Sequence, residues 1–189
     1  MMTPDLISRI KAAAKTASAD PTLLPAMAAA FTVGEEFVPS AVTLGMFHTW
    51  LAREVAMIPA ELVWVDRVVP LTEAVHALAR PILPGEVRRM PVSVIGNEPV
   101  PGLMTARQNI AFRAIHDAMH AKLQADDSWE GELAVTLGHL MTSPPQLWPI
   151  LASEVAGQAA VAIFEGDFPT QRLSGACLPM LTQLIEQVI

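Results

Sequence analysis

Pro81, Pro84, Pro91, Pro99 and Pro101 fall close together in the middle of the chain and set the strongest limit on its fold. A proline has no N–H to give a helix, and its ring collides with the preceding turn, so no long helix can run through this stretch. The surroundings fit extended structure instead. "ELVWVDRVV" (61–69) alternates and is rich in Val and Trp, the pattern of a strand, and "MPVSVI" reads as extended chain. Between them "TEAVHALA" (72–79) suits a short helix. Residues 58–105 are therefore expected to form a strand pair or an ordered arm packed on helices. The segment is too short to bury its own core, so a separate domain is not expected.

Both flanks read as helical. In residues 1–57, one helix runs from Asp5 to about Ser18. A second starts where Asp20 caps and Pro21 takes the first helical position, and a third runs from Ser40 to about Met57. Residues 106–189 carry clearer punctuation: "DSWE" (127–130) as a cap with a carboxylate in the first turn, "SPPQ" (143–146) before an apolar run, and "EGDFP" (165–169) as a Gly stop followed by Pro. Helices are expected at about 104–124, 128–141, 146–165 and 170–188, with Pro149 delaying the regular part of the third. The fold class is thus mainly α, with residues 1–189 as one domain: a helical bundle with a Pro-rich, partly extended middle segment.

The chain is 52% hydrophobic and only 16% charged, which suits a homo-oligomer that hides part of its exterior against a copy of itself. Twelve basic residues against nineteen acidic ones, a net charge of −7, argue against a phosphate-backbone binder, so no nucleic-acid partner is expected. Cys177 is the only cysteine. It permits no internal disulfide or Cys-rich zinc module and reads as a buried structural thiol. The N-terminus lacks the order of a secretion signal, and no apolar stretch is expected to reach the ~18 residues that span a bilayer. The protein reads as cytoplasmic, with no membrane partner.

The chemistry concentrates in "FRAIHDAMHAKL" (112–123). Residues advance by about 100° along a helix, so Asn109, Phe112, His116, His120 and Leu123 share one stripe. On the next helix Glu132, Val135 and His139 align. On the third, Glu154 aligns with Leu147, Ile150, Leu151 and Val161, with Gln158 one turn on. Three successive helices thus carry a polar group in the face that should be buried. A lone buried imidazole or carboxylate is destabilising unless paired or ligated, and neighbouring antiparallel helices can bring such groups together. His116, His120, Glu132, His139 and Glu154 are therefore the expected ligands of a divalent metal (zinc, iron or manganese), with Asn109 or Gln158 orienting them. Glu132 and Glu154 are the candidate catalytic carboxylates, taking a proton from metal-bound water. Glu–His hydrogen bonds across the bundle could satisfy the same groups without a metal. His48 is a possible extra ligand, His76 is placed on a surface turn, and Arg113 and Asp117 have the spacing of an ordinary ion pair.

Known patterns match in part. "HDAMH" resembles the zincin H-E-x-x-H, with the shorter Asp117 in place of glutamate. His116–Asp117 resembles the doublet of HD-type phosphohydrolases, whose further histidine and aspartate have no convincing counterpart. A bundle with His and Glu inside is similar to the ferritin-like di-iron class, but paired Glu-x-x-His motifs are absent. The order "FRAIHDAMH", "SWEGEL", "EVAGQAA", "GDFPTQ" resembles a group of uncharacterised bacterial and phage helical proteins over about residues 107–172. That resemblance implies that these segments act as one unit and brings no activity with it. The expected function is a metal-dependent hydrolase of a small molecule or phosphoester, or alternatively a non-enzymatic assembly protein whose His/Glu network is structural.

Overall fold

A computed structural model of the chain describes residues 2–189. It is mainly α, 62% helical, with eight helices and one two-stranded sheet. In the N-terminal part α1 (Pro4–Ser18) is capped by Thr3, and α3 (Ala41–Ala56) by Ser40, whose side chain accepts from the Thr43 N–H. Between them lies α2 (Leu23–Val33). Asp20 does not cap α2 as expected: its carboxylate accepts from the Thr22 N–H and hydroxyl, closing a tight turn, and the helix starts three residues later.

The middle of the chain folds into a strand–helix–strand unit. The strand β1 (Glu61–Val65), the helix α4 (Leu71–Ala79) and the strand β2 (Arg89–Ser93) follow in order, and the strands pair in parallel from Glu61↔Arg89 to Val65↔Ser93. Pro91 sits inside β2 opposite Val63. A two-stranded sheet consists only of edges, where a strand residue without an N–H is tolerated. Val69, Ala74 and Met90 make a small core under this unit, which rests through α4 and β2 on α5 (Ala106–Leu123). His76 lies exposed in α4 and not on a turn.

The C-terminal part builds the bundle around α6 (Trp129–Thr142). Eleven of its fourteen residues are buried, because α1, α5 and the helix that follows all pack on it. Two glycines allow this. A Cβ at Gly138 would stand 2.9 Å from the Met119 sulfur, and one at Gly131 would stand 2.0 Å from the Asp126 carbonyl oxygen. Both hold α6 close against α5 and the loop between them.

The next helix, α7, spans Pro145–Glu165. It opens with a 3-10 turn, becomes α-helical at Trp148 beside Pro149, widens into a π segment at Ala152–Gly157, and returns to α at Gln158. Contrary to the sequence expectation, α7 is long and apolar enough to cross a bilayer by length and composition. However, 67% of its most apolar window is buried inside the fold, the pattern of a core helix. The last helix, α8 (Cys177–Val188), starts later than expected. The residues before it are used as tertiary ties: the Arg172 guanidinium donates to the Thr32 and Gly34 carbonyls, and Ser174 bridges to Glu36. Cys177 is fully buried and unpaired, and burial pushes its thiol up to about 11, so it is an inert core thiol.

Candidate metal centre

The last turns of α5 and the first turns of α6 bring three side chains to one point. Thr105 and Gln108 form a capping box that sets the start and phase of α5, and Ser128 fixes the start of α6 by accepting from the Gly131 N–H. His116 and His120, one turn apart, and Glu132 from α6 then place their donor atoms all within 4.8 Å of one another. The His116 and His120 Nε2 atoms are 3.1 Å apart. Glu132 divides its oxygens between them, with Oε1 3.4 Å from His120 Nε2 and Oε2 3.6 Å from His116 Nε2. The Glu132 Oε2 atom is buried and accepts no hydrogen bond. Access is one-sided: the His120 side chain is 0% exposed, while the His116 side chain is 23% exposed.

One backbone feature sets the His120 ring. Gln124 adopts a left-handed conformation, φ 52°, at the end of α5. It turns the chain so that the Ala125 carbonyl lies 3.3 Å from His120 Nδ1. A carbonyl can only accept, so Nδ1 carries the hydrogen and donates it, and Nε2 is the atom turned toward His116 and Glu132. Such a backbone-fixed tautomer is the usual support of a ligating histidine.

The charge states follow from these contacts. Burial by itself would raise the Glu132 carboxyl, but His116 and His120 outweigh it and hold the group below the usual carboxylate range. Burial likewise opposes a charge on His120, yet the Glu132 carboxylate and the Ala125 carbonyl raise its pKa above the ordinary imidazole value. His116 is pushed down to about 3, chiefly by burial, and stays neutral. Without a metal, the consistent state is therefore a His120 imidazolium that donates from Nε2 toward His116 and Glu132.

The other expected site residues are placed differently. His139 lies in the aromatic wall behind the cluster, with its ring stacked 6.1 Å from His116 and 6.2 Å from Phe112, and with Trp50 edge-on at 6.1 Å. Its Nε2 has no hydrogen-bond partner, and burial drives its pKa down to about 3. Two turns of α6 separate it from Glu132, too far for both to join the same close group of donors. Glu154 sits in the π segment of α7, buried, with an unpartnered Oε1, outside the group of donors around Glu132. Burial raises its carboxyl to about 8, with Gln158 opposing.

The expected orienting residues are engaged elsewhere. Asn109 donates to the Glu98 carbonyl, and Gln158 donates to Gln171. His48 is held by the Leu103 carbonyl, which accepts from its Nε2 at 2.8 Å. No ion pair joins Arg113 to Asp117 among the described residues; Asp117 is buried, and burial lifts its carboxyl to about 6.

Sequence reasoning missed Gln124 and the Ala125 carbonyl. A backbone acceptor carries no side-chain signal, and "LQADDS" has no glycine to mark a left-handed residue. Chemically, the group His116, His120 and Glu132 could hold one metal ion through two imidazole nitrogens and a carboxylate. No family model, curated protein or solved structure matches this chain.

Proposed function

We propose that His116, His120 and Glu132 bind one divalent metal, with zinc, iron and manganese as the candidates, and that the centre serves metal-assisted hydrolysis. The spacing of the donors carries this reading. Zinc bonds of about 2.0–2.1 Å put neighbouring donors of a tetrahedron about 3.3–3.4 Å apart. Here the two histidine nitrogens are 3.1 Å apart, one Glu132 oxygen lies 3.4 Å from His120 Nε2 and the other 3.6 Å from His116 Nε2, and one donor from each residue falls within 4.8 Å of the others. The three residues are therefore already gathered, and a small rotation of the Glu132 carboxylate would bring one oxygen to ligand distance of a shared ion. Two histidines and one glutamate leave a fourth position, as in catalytic zinc sites, and the partly exposed His116 gives it a side open to solvent.

A metal in this position would lower the pKa of a bound water. Glu132, ligating through one oxygen, would keep the other to accept that water's proton. The Ala125 carbonyl would hold His120 with its Nε2 lone pair inward. The substrate class is a small molecule or a phosphoester.

A second reading has its own support. A single proton on His120 ties most of the cluster together, because its Nδ1–H donates to the Ala125 carbonyl and its Nε2–H is shared between His116 and Glu132, leaving Glu132 Oε2 without a partner. On this reading the three residues fix helix register and bind no metal. Self-association is a further part of the proposal, supported by the low charge and by exposed Phe164 and Phe168.

Elemental analysis of protein purified without a histidine tag, followed by zinc titration at several pH values, separates the two. The metal reading predicts one ion per chain and binding that weakens as pH falls, because His120 must lose its proton first. A folded protein that takes up no zinc, iron or manganese would establish the structural reading.

A further inference from the structure

Arginines in this chain are almost all engaged. Arg9, Arg53, Arg67, Arg80, Arg89 and Arg172 each face a carboxylate, and Arg88 donates to the Arg80 carbonyl. Among the described residues only Arg107 and Arg113 have neither a hydrogen bond nor an ion pair. Arg107 is exposed in the first turn of α5. Arg113 is different: it is half-buried and lies one helical turn before His116, on the side of α5 that carries the metal ligands. Its charge reaches His116, where it adds to the forces that keep the imidazole neutral.

Asp117, at the favourable i+4 spacing, feels the Arg113 charge, which counters the burial that raises its carboxyl, but the two make no contact ion pair, so the guanidinium fork stays unoccupied. Arg113 is not among the residues with fully buried, unpartnered nitrogens, so its head reaches water. A partly buried, unpaired guanidinium one helical turn from His116, the ligand on the open side of the cage, is placed to serve as an oxyanion clamp. The fork of N–H groups grips two oxygens while a third oxygen takes the open metal position.

We propose that Arg113 and the open coordination position together bind the phosphoryl group of the substrate, which assigns the centre to phosphate esters. This inference rests on the metal reading. Without a metal, the neighbourhood is dominated by Glu132, Asp117, Asp126 and Asp127, which repel an anion; the ion and Arg113 reverse that balance. Binding of phosphate must therefore depend on both.

The test is spectroscopic. Cobalt(II) is bound to wild-type, Arg113→Gln and Arg113→Lys proteins, and inorganic phosphate is titrated while the visible cobalt bands are followed. The expected result is saturable phosphate binding to the cobalt-loaded wild type and none to the metal-free protein. Arg113→Gln should weaken phosphate about tenfold or more, Arg113→Lys should recover part of the loss, and cobalt affinity should stay within about threefold throughout. Equal phosphate affinity in wild type and Arg113→Gln, or acetate competing as well as phosphate, overturns the assignment and leaves the metal centre standing. Failure of the folded wild type to bind cobalt removes the metal centre and the clamp with it.

Discussion

Glu132 and Glu154 are both buried carboxylates on consecutive helices, and they end in opposite states. Glu132 meets two histidines and stays ionised despite its burial. Glu154 meets none, and burial keeps its proton on up to about pH 8. Desolvation is the largest influence on each, so burial alone does not make a site. What separates them is where the backbone points the neighbours. The tight α5–α6 packing at Gly138 and the turn at Gln124 bring two imidazoles, one of them protonated, to Glu132, while the π segment buries Glu154 outside that group.

The largest expected effect is on the isolated partner. Between about pH 4.5 and 8 folded Glu154 keeps a proton that the unfolded chain releases, so the folded state binds more protons and stability falls as pH rises through this window. Urea unfolding of metal-free wild type and Glu154→Gln across this range should show the wild type losing on the order of 4 kcal/mol relative to the variant. Parallel curves would mean that Glu154 is solvated or paired, and the contrast with Glu132 would vanish.

Metal affinity sharpens the comparison from the other side. Calorimetric zinc titration should show Glu132→Gln losing about 100-fold or more, whereas Glu154→Gln stays within about threefold. Equal losses in the two variants would return Glu154 to the ligand set.

His139 tests the aromatic wall behind the cluster. His139→Ala empties space beside Phe112, Trp50 and His116 and should lower stability by about 2 kcal/mol in thermal or chemical unfolding. The protein should still bind one zinc per chain. Loss of that stoichiometry would make His139 a ligand.

Gln124 carries the smallest effect. Glycine adopts its φ of 52° without steric penalty, so Gln124→Gly should stabilise the protein by about 0.5–1 kcal/mol and leave zinc affinity unchanged. Gln124→Val should do the reverse to stability and also weaken zinc, because the Ala125 carbonyl would no longer be held against His120 Nδ1.

Much of this arrangement is legible in the sequence. Helical periodicity places His116, His120 and Glu132 on buried faces, and Ser40 and Ser128 mark helix starts where the structure has them. The Val-rich and Pro-rich middle declares its strands. Other features depend on tertiary structure. The helix after residue 170 starts late because Arg172 and Ser174 tie that segment to the end of α2 and the residues after it. Counting at 3.6 residues per turn puts Glu154 on the buried face with Leu147, Ile150, Leu151 and Val161, as the structure has it, but the π segment shifts the phase, so which groups Glu154 meets could not be read by counting. The unpaired state of Arg113 is equally hidden, since its spacing to Asp117 suggests a partner that it does not take.

A metal centre requires that one ion fit among His116, His120 and Glu132. Anomalous diffraction at the zinc edge, on crystals grown with one equivalent of zinc, tests it most directly. A single peak is expected about 2.0–2.2 Å from His116 Nε2, His120 Nε2 and an oxygen of Glu132. A cluster that keeps its histidine pair in contact with no peak between them, or a zinc peak at Glu154 instead, would contradict it.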